Sequence, residues 1–124
     1  MYKSLKLAIS FYLGIVTTAN FSTLTTAQSI IPAADRTETR IQQQGNITNI
    51  TGGSLSRDSA NLFHNFQQFN VPVDQTANFI SSPNIQNILS RVTGGNPSVI
   101  NGLIQVTGGN SNLFLINPAG IVFG

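Results

Sequence analysis

The chain is 124 residues long and carries a formal net charge of +2, with 8% of its residues charged and 40% hydrophobic. This length accommodates one small domain, at ~100 to 200 residues per domain, and excludes a two-domain enzyme. Charge far below the ~25% usual for soluble domains also excludes an acidic disordered tail or a charged coiled coil. Solvation falls to side-chain amides instead, of which the sequence holds fourteen Asn and nine Gln.

The surplus of positive charge sits at one end. Lys3 and Lys6 are the only lysines, and from Gln28 onward Arg36, Arg40, Arg57 and Arg91 balance Asp35, Glu38, Asp58 and Asp74. No basic face remains to neutralise phosphates, so a nucleic-acid partner is not expected. The two lysines precede the apolar run Leu7–Val16, which gives way to small and polar residues ending at Thr26-Ala27-Gln28. That is the layout of a signal peptide handled by the general secretion machinery. The run is too short for a membrane span, which takes about 20 apolar residues. Residues 1–27 are therefore assigned to a signal peptide, cleaved after Ala27 in preference to Ala19, and residues 28–124 to the mature domain. An exported chain without cysteine has no disulfide staples. Stability must then come from a repeating architecture or from a longer polypeptide of which this is the front.

The segment Gln28–Glu38, with Pro32, reads as irregular. Ile41, Ile47, Ile50 and Leu55 follow among Gln, Asn, Thr and Gly, with breakers at Gly45 and Gly52-Gly53, and predict short strands. Phe69, Val71 and Val73 alternate with polar or turn residues, as a half-buried strand requires. Ile85, Ile88, Leu89 and Val92 instead fit the i, i+3, i+4, i+7 spacing of a helix, with Ser82 and Pro83 as N-cap and first helical residue. Leu62, Phe66 and Phe69 fit that spacing more weakly, so one or two helical turns are expected at most. Leu103–Val106, Leu113–Ile116 and Ile121–Phe123 close the chain as short strands bounded by Gly, Asn or Pro. Phe63, Phe66 and Phe69 are expected in the core, where phenylalanine supplies buried area.

Short internal repeats accompany this β-rich punctuation. Val-Thr-Gly-Gly-Asn occurs at Val92–Asn96 and Val106–Asn110, with Ile50-Thr51-Gly52-Gly53 as a relative, and Asn61-Leu62-Phe63 recurs as Asn112-Leu113-Phe114. Strand-plus-glycine-corner units suit a solenoid, in which each rung buries its apolar side on the next and aligned amides form ladders. An antiparallel sandwich with Gly-rich turns fits the composition equally well. The chain has one mature histidine, His64, between Phe63 and Asn65, and its four acidic residues never pair at neighbouring strand positions. His64 is therefore expected to be packed or at an edge. No catalytic constellation, metal site or cofactor site is expected.

Asn117-Pro118-Ala119-Gly120-Ile121 is a tight corner by its chemistry: Pro118 fixes its own φ and Gly120 is free to take a positive φ. Together with Asn112–Ile116 before it, the segment resembles the surroundings of the Asn-Pro-Asn-Gly-Ile motif of the filamentous haemagglutinin family, the secreted partners of two-partner secretion. Ser82-Pro83-Asn84-Ile85 is similar to that family's Asn-Pro-Asn-Leu motif, and Asn61–Val71 to its Ser-His-Asn…Phe-Asn-Val stretch. Ala119 and Ser82 depart from the family pattern, each replacing an Asn with another turn-compatible residue.

The resemblance implies an all-β fold, a right-handed parallel β-helix with N-terminal capping strands, incomplete at its C-terminal end. It implies a secretion-targeting domain, not an enzyme, that reaches the medium or cell surface through the periplasm. Its partner would be an outer-membrane β-barrel transporter with periplasmic transport-associated domains. The candidate recognition residues are Pro83, Asn84, Ile85, Asn117, Pro118, Gly120 and Ile121, with corner-building as their alternative role. An adhesive surface-binding module is the second function the resemblance admits. The glycosylation patterns Asn46-Ile47-Thr48 and Asn49-Ile50-Thr51 carry little weight in so Asn- and Thr-rich a chain. An exposed edge near Ile121–Phe123 predicts poor solubility.

Overall fold

A computed structural model of the chain describes residues 28–124. The signal-peptide assignment, 1–27, lies outside the described residues. These form strands and turns only: β1 (Ile30–Pro32), β2 (Thr39–Gln44), β3 (Ile47–Gly52), β4 (Ser54–Leu55), β5 (Asn61–Phe69), β6 (Thr76–Ile80), β7 (Asn87–Val92), β8 (Ser98–Ile100), β9 (Leu103–Thr107), β10 (Asn112–Ile116) and β11 (Ile121–Phe123). The all-β expectation holds.

Three sheets take these strands in rotation. The first has the order β9-β6-β3-β2, the second β10-β7-β5-β1 with β4 also on β5, and the third pairs β11 with β8. Every pairing among β3, β5 and the strands after them is parallel. β1, β2 and β4 pair antiparallel, so the sheets are mixed and the antiparallel strands gather at the N-terminal edge. Ile47 aligns with Thr76 and Thr76 with Leu103, while Asn61 aligns with Asn87 and Asn87 with Asn112. The chain thus returns to the first and second sheets after 25 to 29 residues, adding one tier to each.

Alternation decides which side chains fill the space between sheets. In β5, Leu62, His64 and Phe66 point inward while Phe63 and Gln67 face solvent. In β7, Ile88, Ser90 and Val92 point inward. Phe66, Phe69 and Phe79 form the centre of the core, with ring centroids 5.1 Å apart for Phe66–Phe69 and 5.9 Å for Phe69–Phe79. Such aromatic pairs each add about 0.5–1.5 kcal/mol beyond their buried area.

Four expectations are corrected. The helical spacing of Leu62, Phe66 and Phe69 arises from a register shift in β5, where Ile31 faces Gln68 but Pro32 faces Phe66. The extra residue moves the inward phase by one, so Phe66 and Phe69 share a face as they would on a helix. Ile85, Ile88, Leu89 and Val92 likewise lie in a turn and a strand, because the inward position between Ile88 and Val92 is the polar Ser90 and Leu89 belongs to the outer face. Ser82 and Pro83 accordingly open a β-turn and cap no helix. Phe63 is 38% exposed on the outer face, unlike Phe66 and Phe69. Val73 is no strand residue either: after Pro72 it is exposed, and Val71 alone bridges to Ile100.

The repeats separate into two kinds. Ile50 aligns with Phe79 and Phe79 with Val106, so Ile50–Gly53 and Val106–Gly109 occupy the same sheet position two tiers apart. Val92–Asn96 follows a strand of the other sheet and is a local echo only. Gly53, at φ +87°, sits where a Cβ would lie 2.8 Å from both the Phe63 carbonyl oxygen and the His64 ring.

Candidate recognition corners

The corner at Ser82–Ile85 joins β6 to β7. Ile85 N–H donates to the Ser82 carbonyl at 3.1 Å, closing a β-turn with Pro83 and Asn84 at its two central positions. Both are exposed, whereas Ile85 is half-buried against the core. The Ser111 hydroxyl donates to the Ile85 carbonyl at 2.6 Å and ties this corner to the next tier.

The corner at Asn117–Gly120 joins β10 to β11 and is built from one side chain. Gly120 N–H donates to the Asn117 carbonyl at 2.9 Å, and Ala119 N–H donates to Asn117 Oδ1 at 2.9 Å. Asn117 Nδ2 donates to the Asn96 carbonyl at 3.0 Å and to Ser98 Oγ at 2.9 Å, reaching back one tier. Gly120 adopts φ +113°, the positive value its position demands. Its carbonyl accepts from Ser98 N–H at 3.0 Å, which starts the β11–β8 pairing through Ile121. Pro118 and Ala119 face solvent; Asn117, Gly120 and Ile121 are half-buried. The two corners occupy different junctions between sheets, so the structure does not bring the seven candidate residues into one patch.

Two columns of side-chain hydrogen bonds, mostly between amides, run from tier to tier. Asn87 Nδ2 donates to Asn61 Oδ1 at 3.0 Å, and Asn112 Nδ2 donates to Asn87 Oδ1 at 3.2 Å. On the first sheet Asn78 Nδ2 donates to Asn49 Oδ1 at 2.8 Å, and Thr107 Oγ1 donates to Asn78 Oδ1 at 3.0 Å. These amides satisfy one another along the direction in which tiers accumulate, so the unusual composition serves pairing between tiers.

Charge plays a small part. Arg40 and Glu38 form an exposed ion pair at 3.2 Å. Hydrogen bonds from Thr37 and Asn65 hold the Asp35 carboxyl below its ordinary range, and bonds from Ser56 and Ala60 do the same for Asp58. His64 is buried as a packed residue between Phe66 and Phe79, and burial lowers its pKa to about 4. Among the described residues no three His, Asp or Glu side chains gather as metal ligands would.

Sequence reasoning missed the outer face of the second sheet. Phe63, Leu89 and Phe114 align across three tiers, and Asn65, Arg91 and Ile116 align beside them. All of these but Phe114 line a shallow cleft of about 340 Å³. The signal lay in apolar residues at the odd positions of strands whose even positions are also apolar, which the core assignment of Phe63 absorbed.

A profile of the TPS secretion domain matches residues 18–124, spanning every strand and both corners. The chain belongs to the TPS secretion domain family. No curated protein matches it. As a TPS secretion domain it is the secretion-targeting part of a two-partner secretion exoprotein, and its partner is an outer-membrane transporter. Exoproteins of this kind leave the cell by way of the periplasm. The family is one of targeting modules and not a catalytic one.

Proposed function

We propose that this TPS domain is taken up as an extended chain by periplasmic transport-associated modules of its β-barrel transporter and winds outside the cell into a right-handed parallel β-helix. The observation that carries this reading is the parallel, in-register return of the chain to the first and second sheets every 25 to 29 residues. Parallel strands joined by crossovers wind with right-handed connections in nearly all proteins. Each tier contacts its neighbours through local pairing, so folding can proceed tier by tier as the chain emerges and oppose its return. The antiparallel β1, β2 and β4 would then cap the first tier.

Within this reading Pro83 and Asn84, and Pro118 beside the half-buried Asn117, Gly120 and Ile121, are the residues the transporter recognises, with Ile85 anchoring the first corner. Exposure of Pro83, Asn84 and Pro118 supports a contact role beyond corner-building. The test is a reporter fused to residues 1–124 and expressed beside candidate transporters. Reporter in the medium only when a matching barrel is present is the expected result. Retention in the periplasm with every barrel, while a longer family domain exits, would overturn it. Asn84→Ala, at an exposed position that leaves strand pairing intact, separates recognition from folding: lost export with unchanged thermal unfolding assigns recognition.

A further inference from the structure

The seam between the antiparallel strand β2 and the tiers behind it holds the only histidine of the chain. Thr39 on β2 reaches across this seam: its Oγ1 lies 3.1 Å from His64 Nδ1 and accepts from Asn65 N–H at 3.1 Å. Where the Thr39 hydroxyl donates its proton to Nδ1, the ring hydrogen sits on Nε2. Nε2 has no hydrogen-bond partner, and neither has the hydroxyl of Ser90, the residue aligned with His64 one tier on. The ring is 1% exposed, with its centroid 6.1 Å from Phe66 and 5.9 Å from Phe79.

We propose that His64 is an acid-sensitive latch that ties β2 to the stacked tiers and closes only while its imidazole is neutral. A second ring proton, at Nδ1, would turn the Thr39 hydrogen bond around and leave a cation among phenyl rings and hydroxyls. No anion is at hand to compensate it. On β2 the charged residue is Arg40, paired with the exposed Glu38; on β7 it is Arg91, also exposed. β3, β6 and the rest of β5 contribute no charged or titratable side chain.

The direction follows from linkage. The imidazole is free to protonate in the unfolded chain near its ordinary 6.5 but only near 4 when folded, so unfolding takes up a proton between those values. The stabilising effect of the neutral ring is whole above pH 6.5 and declines as pH falls toward 4. Where the chain is exported extended, as proposed above, folding at the exit becomes sensitive to acidity there. The latch itself rests on the fold alone.

The test uses the full 124-residue chain in urea unfolding at pH 4 to 8, with histidine NMR of the folded state. The unfolding constant of the wild type is expected to rise by up to about tenfold per pH unit below 6.5, and His64→Gln to lose that dependence. Thr39→Val, which keeps the imidazole, is expected to keep it at lower stability. The single imidazole resonance of the folded wild type is expected to stay neutral down to about pH 5. Parallel slopes in wild type and His64→Gln, or a folded imidazole that protonates above pH 6, would overturn the latch. If His64→Gln fails to fold, the wild-type resonance decides alone. None of these outcomes depends on a transporter, so failure here and failure of the export reading are separable.

Discussion

Asn87 hands its side-chain amide to Asn61 at 3.0 Å, a bond between residues 26 positions apart in sequence and aligned on neighbouring tiers. With Asn112 bonded to Asn87 in turn, the middle residue serves both neighbours. Asn87→Ala removes both bonds at a half-buried position and leaves two amides short of a partner. A loss of about 1–3 kcal/mol in urea unfolding is expected. Asn84→Ala, on the exposed corner, is expected to stay within about 0.5 kcal/mol of wild type.

Phe79 is fully buried and touches the rings of Phe66, Phe69 and His64. Phe79→Ala opens a cavity between the first and second sheets and is expected to lose about 3–5 kcal/mol, a large share of the stability of a domain this size. Circular dichroism during urea unfolding measures it.

Glycine substitutions distinguish strain from crowding. Gly45→Ala adds a methyl in open space at φ +59°, so only the left-handed penalty of about 1–2 kcal/mol is expected. Gly53→Ala meets the same penalty and also a carbonyl and the His64 ring at 2.8 Å, so its loss is expected to be clearly greater. Thermal unfolding of the two variants side by side makes the comparison.

From Val92 to Gly124 the chain has no charged residue, and Val122 and Phe123 on the last strand are 54% and 72% exposed. Natural sheet edges usually carry charge that blocks pairing with other chains. Val122→Lys is expected to raise the soluble fraction with little change in unfolding midpoint. Sedimentation and urea titration check the two halves of that statement.

The Asp58 carboxylate accepts from Ser56 and from the Ala60 N–H, which lowers its pKa from the ordinary 3.8. A depressed carboxylate stabilises the fold above its unfolded value, and that contribution is lost as pH falls through the folded one. Asp58→Asn is therefore expected to flatten the acid end of the stability curve below about pH 4 while leaving the histidine region between 4 and 6.5 unchanged. Urea unfolding of wild type and variant across pH 2 to 7 separates the two limbs.

Much of the architecture was legible because short β-runs bounded by Gly, Asn and Pro leave few alternatives, and the Asn117–Gly120 corner folded as its chemistry implies. Pro118 and Gly120 took the turn positions expected of them. The amide ladder was anticipated as a type of contact, but its members were not, since nothing local says that Asn61 will meet Asn87. Phe66 and Phe69 misled because a register shift puts i and i+3 on one face, and Leu89 misled because a strand with apolar residues on both faces imitates helical spacing. Placement of Phe63 on the outer face depends on which side of β5 meets the other sheets, and periodicity alone does not choose that side.

Strand direction is the measurement on which the account turns. The chain has no cysteine, so paired substitutions cross-link without competition. Asn65 aligns with Arg91 and Asn61 with Asn87 in the parallel register, and the Cα spacing of neighbouring strands suits a disulfide. Oxidation of Asn65→Cys with Arg91→Cys is predicted to give an intramolecular disulfide in high yield, and Asn65→Cys with Asn87→Cys to give little. The reverse pattern would mean antiparallel pairing of β5 and β7, and would contradict the tiered winding on which the proposed route of export depends.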